Sequence, residues 1–193
     1  MKLFSSALCL ALACTPALGQ APADSSEQNV FVMGGPFAKG FFGDTFLFWQ
    51  DHYESNIFLG AAYQRFFYEY QSFQLGLEAG IGLRLGAPNS AEFWGGAVAR
   101  LTRFTFGDIA VTPSITFGLS VVTDTIGVET DRAATLGHDV PVLYYLSPEI
   151  AFSHVDNPEW EVFGRIQHRS GGFGTIADID GSNAAVVGLR YKF

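Results

Sequence analysis

The sequence predicts an all-β chain: an eight-stranded antiparallel up-and-down transmembrane β-barrel. Three observations lead there. Apolar and polar residues alternate with period two, the mark of strands whose two faces meet different surroundings. Hydrophobic residues make up 48% of the 193 residues and aromatics 15%, against 16% charged. Yet no segment after the first twenty residues approaches the ~18 uninterrupted apolar residues of a membrane-spanning helix. Finally, longer loops alternate with short turns, as in a barrel with both termini on one side of the membrane.

Residues 1–20 read as a signal peptide. Lys2 opens it, Leu3–Ala13 is apolar, and small residues surround a cut near Gly19 or Ala21. Residues 21–193 are then the outer-membrane barrel domain. Both cysteines, Cys9 and Cys14, fall in the leader, so the remainder has no thiol for a disulfide, a metal or a nucleophile. Ala11, three residues before Cys14, stands where a lipidated cysteine is usually preceded by Leu. The net charge of −8, without a basic run, argues against nucleic acid as a partner.

The first strand covers Asn29–Lys39, with Gly34-Gly35-Pro36 marking a bulge or bend. Gly43–Glu54 is a loop carrying Phe46, Phe48 and Trp49, either an acyl-chain groove or an interfacial belt. The second strand, Ser55–Tyr70, ends in aromatics. Ser72–Leu85 alternates most cleanly. Phe73, Leu75, Leu77, Ala79, Ile81, Leu83 and Leu85 share one face, and Gln74, Glu78 and Arg84 the other. At about thirteen residues it exceeds the usual soluble strand and suits a tilted membrane-crossing one. Residues 87–90 turn into a fourth strand, Glu92–Phe106, and Gly107-Asp108 into a fifth, Ile109–Thr123. Asp124–Pro141 is a long polar loop. The sixth strand, Val142–Val155, the seventh, Glu159–Ser170, and the eighth, Asn183–Phe193, complete the set.

Glu78, Arg84, Arg100, Glu149, Arg165 and Gln167 fall on inner faces. An eight-stranded barrel is only wide enough for its own side chains, so these residues form a charge-balanced plug rather than a pore. Aromatics gather at the turn end, as in an interfacial girdle.

The last hairpin carries the candidate chemistry. His168 and Ser170 share a face with Trp160, Val162 and Ile166. Asn183 shares one with Ala185, Leu189 and Tyr191. Pairing His168 with Asn183 sets Ile166 against Ala185, Val162 against Leu189 and Trp160 against Tyr191. Three polar residues then stand at the outer end of an apolar wall, where burying them against lipid is costly without partners. A serine hydroxyl needs a neighbouring base to become a nucleophile. His168 is that base, and Asn183 can hold its ring. Gly171 and Gly172 can offer backbone N–H groups to an oxyanion. An H-x-S pair also arises by chance, and interfacial histidines are common. His52 and His138 fall in loops and His154 near a turn. No His and carboxylate group has metal-ligand spacing, so neither metal nor cofactor is expected.

The run Gln167-His168-Arg169-Ser170-Gly171-Gly172, then Gly181-Ser182-Asn183, then Gly188-Leu189-Arg190-Tyr191-Lys192-Phe193, resembles the C-terminal hairpin of the PagL-type lipid A 3-O-deacylases. The likeness is strongest over about the last thirty residues. It implies a lipid-facing Ser/His pair in the bacterial outer membrane that hydrolyses the ester-linked 3-hydroxyacyl chain at the 3-position of lipid A. His168 matches the family base and Ser170 its nucleophile. The chain departs at two places. Asn183 stands where the family has Glu, and Gly171 where it has Asn. Asp178 or Asp180, both in the loop, could substitute for the acid. The expected partners are lipid A of the outer leaflet and the outer membrane, with a homodimer also allowed. Two rival readings remain: a non-enzymatic small outer-membrane barrel, and a soluble exported β-barrel with a ligand inside.

Overall fold

Strand alternation closes into a cylinder. The computed structural model describes residues 27–47, 49, 52–101 and 103–193; the expected leader and Phe48 lie outside them. Nine strands form one antiparallel sheet: β1 (Gln28–Ala38), β2 (Tyr53–Tyr70), β3 (Phe73–Leu85), β4 (Ser90–Leu101), β5 (Phe104–Phe106), β6 (Ile109–Val122), β7 (Val142–His154), β8 (Asn157–Ser170) and β9 (Asp180–Lys192). β1 to β4 pair in sequence order, as do β5 to β9; β1 also pairs with β9, and β4 with β6. β4 and β5 both run along β6, through Arg100 opposite Ser114 and Phe104 opposite Val111. They are two pieces of one stave, so the barrel has eight. Gln28 and Phe193 exchange backbone hydrogen bonds at 3.2 and 2.9 Å, sealing the first strand to the last.

The fourth predicted strand is therefore interrupted, and several other boundaries move. The last strand starts at Asp180 rather than Asn183, and the loop before the sixth predicted strand contains helix α2 (Val128–Leu136). Gly137, in the left-handed conformation at φ 78°, ends α2. A one-turn helix, α1 (Phe42–Thr45), follows β1.

The wall separates two media. Val32, Leu59, Ile81, Phe117 and Val187 face outward and are exposed. That is the apolar band a bilayer requires, and a closed barrel leaves no unpaired edge within it. Trp160, Tyr191 and Phe193 lie ring against ring at the turn end, at 4.9 and 6.1 Å between centroids, the first pair tilted and the second stacked.

The predicted polar residues face inward and are buried. Arg165 bonds both carboxylate oxygens of Glu78, at 2.8 and 2.9 Å, and reaches Glu149 at 2.9 Å. Arg190 joins Glu149 to Glu161, at 2.7 and 3.0 Å. Nearer the loop end, α2 lowers Glu129 into the barrel mouth, where it pairs with Arg84 and Arg169. The lumen is filled by these pairs together with Phe31, Phe58, Trp94 and Phe163.

Candidate functional site

The β8–β9 hairpin has the predicted register: His168 opposite Asn183, Ile166 opposite Ala185, Val162 opposite Leu189 and Trp160 opposite Tyr191. His168 and Asn183 therefore project from the outer face at the loop end of the wall. They are nevertheless buried, with 5% and 0% of their surface exposed. The cover comes from α1, whose Phe42 ring stacks on the imidazole at 4.3 Å between centroids and 30° between planes. The Asp44 carboxylate accepts the Phe41 N–H at 3.0 Å and closes that single turn.

The hydrogen bonds assign the ring's tautomer. Asn183 Nδ2 donates to the Gly40 carbonyl at 3.1 Å, which turns Asn183 Oδ1 toward His168. That oxygen only accepts, so the proton lies on His168 Nδ1, 2.6 Å away. Nε2 is left with its lone pair, the form a general base needs. Arg132 of α2 braces the arrangement. Its two terminal nitrogens donate to the carbonyls of Lys39, Gly40, Asp180 and Gly181 at 3.0–3.2 Å. Its guanidinium lies over the Phe41 ring at 4.9 Å.

Ser170 is half-buried, two residues along from His168 on the same face and opposite Tyr144 of β7. Among the described residues no hydrogen bond joins its hydroxyl to the imidazole. Side chains at i and i+2 of a strand stand about 7 Å apart at the backbone. Contacts between base and nucleophile are often long without substrate and tighten in its complex.

The backbone beyond Ser170 corrects one expectation. Gly171 N–H donates to Ile179 O at 2.8 Å, so it is not available to an oxyanion in this conformation. Of the two glycines, Gly172 alone has an amide without a backbone acceptor among the described residues. It sits at φ 63° and begins three successive left-handed residues with Phe173 and Gly174. Phe173 is fully exposed there, and the region favours glycine over a residue with a side chain.

The two loop acids separate. Asp178 is exposed. Asp180 lies with its Oδ1 3.7 Å from His168 Nδ1. Phe42, Gly40 and Arg132 were not singled out from the sequence. They come from the first and third exterior loops, and no local pattern marks such long-range contacts. The remaining histidines stay outside the site: His52 and His138 are exposed, and His154 neighbours Asp156 at the opposite end.

A closed antiparallel barrel with an ionic lumen and an apolar outer wall defines an outer-membrane β-barrel protein. Neither a protein-family profile nor a curated protein matches its sequence. Among solved structures, it is similar to the crystal structure of the outer membrane enzyme PagL, with 15% identity and a TM-score of 0.57 over 86% of this chain and 99% of that one. It is similar to Neisserial surface protein A (NspA), with 12% identity and a TM-score of 0.52 over 87% of this chain and 98% of that one. A structure from the de novo design of transmembrane β-barrels also matches, at 11% identity and a TM-score of 0.51 over 89% and 99% of the two chains. At such identities the likeness establishes the shared barrel fold, and the chemistry must be argued from residues.

Proposed function

We propose that this protein is an outer-membrane serine esterase that removes the ester-linked 3-hydroxyacyl chain from the 3-position of lipid A. The observation that carries the reading is the His168–Asn183 hydrogen bond on the outward face of the wall. It readies a neutral imidazole beside a serine at the height of the outer-leaflet headgroups. Ser170 Oγ attacks the ester carbonyl and passes its proton to His168 Nε2. The tetrahedral intermediate collapses, and the sugar oxygen leaves with that proton. Water then gives a proton to Nε2, attacks the acyl-serine and releases a 3-hydroxy fatty acid, restoring Ser170. No cofactor enters these steps. Gly172 N–H is the backbone donor closest in sequence to the nucleophile that can turn toward the oxyanion.

A second reading, a non-enzymatic small barrel, draws on the missing Ser170–His168 hydrogen bond and the engaged Gly171 amide. Mass spectrometry of lipid A from cells with and without the protein separates the two. The esterase reading expects loss of one 3-hydroxyacyl group with the native chain and none with Ser170→Ala or His168→Ala. Unchanged lipid A in cells that hold the folded native barrel would favour the structural role.

A further inference from the structure

An esterase built on Ser170, His168 and Asn183 has a chemical gap. Asn183 fixes the tautomer of His168, but a neutral amide cannot balance the imidazolium that forms when the ring takes the serine's proton. Resting on the esterase reading, we infer that Asp180 is the positioning residue that supplies this charge, so that the acid's two tasks are divided between neighbours on β9.

Strict alternation hides Asp180. Counting back from the outward Asn183 puts Ser182 inward, Gly181 outward and Asp180 inward. The hairpin breaks that count. Arg169 pairs with Ser182, but Ser170 pairs with Asp180, so Gly181 is an extra residue on β9. Such a bulge reverses the parity beyond it. Ser182 receives the lumen-facing Arg84 at 2.9 Å. A Cβ on Gly181 would meet Leu143 at 2.7 Å, a buried residue of the lumen. Both residues face inward, and Asp180 returns to the outer face, opposite Ser170 and diagonal to His168.

The carboxylate is placed and only loosely held. Its Oδ1 is buried, accepts no hydrogen bond among the described residues, and lies 3.7 Å from the nitrogen that carries the imidazole proton. Arg132 holds the bulge through the Asp180 and Gly181 carbonyls, both at 3.0 Å, and stands 4.0 Å from Asp180 Oδ2. The other elements around the ring are uncharged where they meet it: Phe42 from α1, Leu146 from β7 and Asn183 from β9. Among the described residues, Asp180 and Arg132 are the charged side chains of this cluster. Asp180, 3.7 Å from the ring nitrogen, is negative and favours the protonated ring.

The test is the pH dependence of kcat/KM for lipid A deacylation, measured on the full chain folded in detergent micelles. Heat-modifiable migration on gels serves as the check of folding. Asp180→Asn is expected to lower kcat by about ten- to a hundredfold and to move the acidic limb of the profile to lower pH by about one unit, since a ring without its anion loses its proton earlier. Moving the carboxylate one partner along, in Asp180→Asn/Asn183→Asp, is expected to restore most of the rate and the limb. A purely structural role for Asp180 predicts neither the shift nor the rescue. If Asp180→Asn does not fold, Asp180→Ser carries the same two expectations. An Asp180 variant with native rate and profile, alongside an inactive Ser170→Ala, would overturn the inference and leave the esterase standing. Native activity in Ser170→Ala would instead remove the esterase itself.

Discussion

Inside the barrel, Glu78 accepts hydrogen bonds from Arg165, Trp94, Gln64 and Thr116. At the rim outside it, Asp180 Oδ1 accepts none among the described residues. Glu78 is shielded from water and Asp180 only partly, with 23% of its side chain exposed, and their surroundings differ accordingly. A buried charge that is fully paired holds a structure in one arrangement. On the esterase reading, a carboxylate held at rest only by Arg132 at 4.0 Å gains a second partner when the neighbouring ring is protonated. The same contrast separates Arg165, clasped by two glutamates, from His168, whose Nε2 faces no fixed donor or acceptor among the described residues. Polar residues in the lumen support the barrel. Those on the outer wall stand where lipid makes polar groups costly without partners.

The largest effect that tests this contrast is Ser170→Ala. It is expected to cut deacylation by at least about 10³-fold while leaving heat-modifiable folding unchanged, since nothing else in the constellation replaces a nucleophile. Residual activity near the native rate, read by lipid A mass spectrometry, would place the chemistry elsewhere. The matching change in the lumen is Glu78→Ala, which leaves Arg165 with Glu149 as its carboxylate partner and the Tyr145 hydroxyl beside it. It is expected to lower the unfolding free energy by about 3 kcal/mol, with turnover per folded molecule unchanged. Urea unfolding followed by the gel-mobility shift reads the first quantity, and a deacylation assay on the folded fraction reads the second. A loss of turnover would join the two regions that the comparison separates.

Val187→Arg places a charge midway along β9 on the lipid-facing side and is expected to cost about 2–4 kcal/mol of stability in a bilayer. A neutral result in refolding titrations would mean that this face is not in contact with lipid. The smallest change is Phe42→Leu, which keeps an apolar cover over His168 and removes the stacked ring. Stacked pairs contribute about 0.5–1.5 kcal/mol beyond the area they bury, so a few-fold fall in kcat is expected, with a loss of no more than about 1 kcal/mol of unfolding free energy.

Much of the barrel was legible because its governing signal is local. Phe73 to Leu85 alternate without interruption, and such a run has one parity and one outer face, even though β2 slips by one residue against it between Phe66 and Tyr68. The His168–Asn183 pairing followed from the same counting, since no irregularity lies between Trp160 and Arg169 on β8 or between Ser182 and Tyr191 on β9. Counting failed at Asp180, where one extra glycine reverses the faces. It also failed at α2, whose mixed sequence VETDRAATL carries no strong apolar stripe, yet whose Glu129 plugs the barrel mouth. The Gly171 amide, expected to be available, is held by Ile179 through a loop whose shape no dipeptide preference specifies.

The chain's own alternation determined the cylinder, the sorting of charge inward and hydrocarbon outward, and the face on which His168, Ser170 and Asn183 stand. These follow from a two-residue period and the cost of polar groups in lipid, both readable along a single strand. Folding in three dimensions decided how those residues are set for use. It brought Gly40 to turn the asparagine amide, Phe42 to cover the imidazole, and Arg132 to hold the bulge that brings out Asp180. Each of these contacts joins segments distant along the chain, where geometry rather than residue pattern selects the partner.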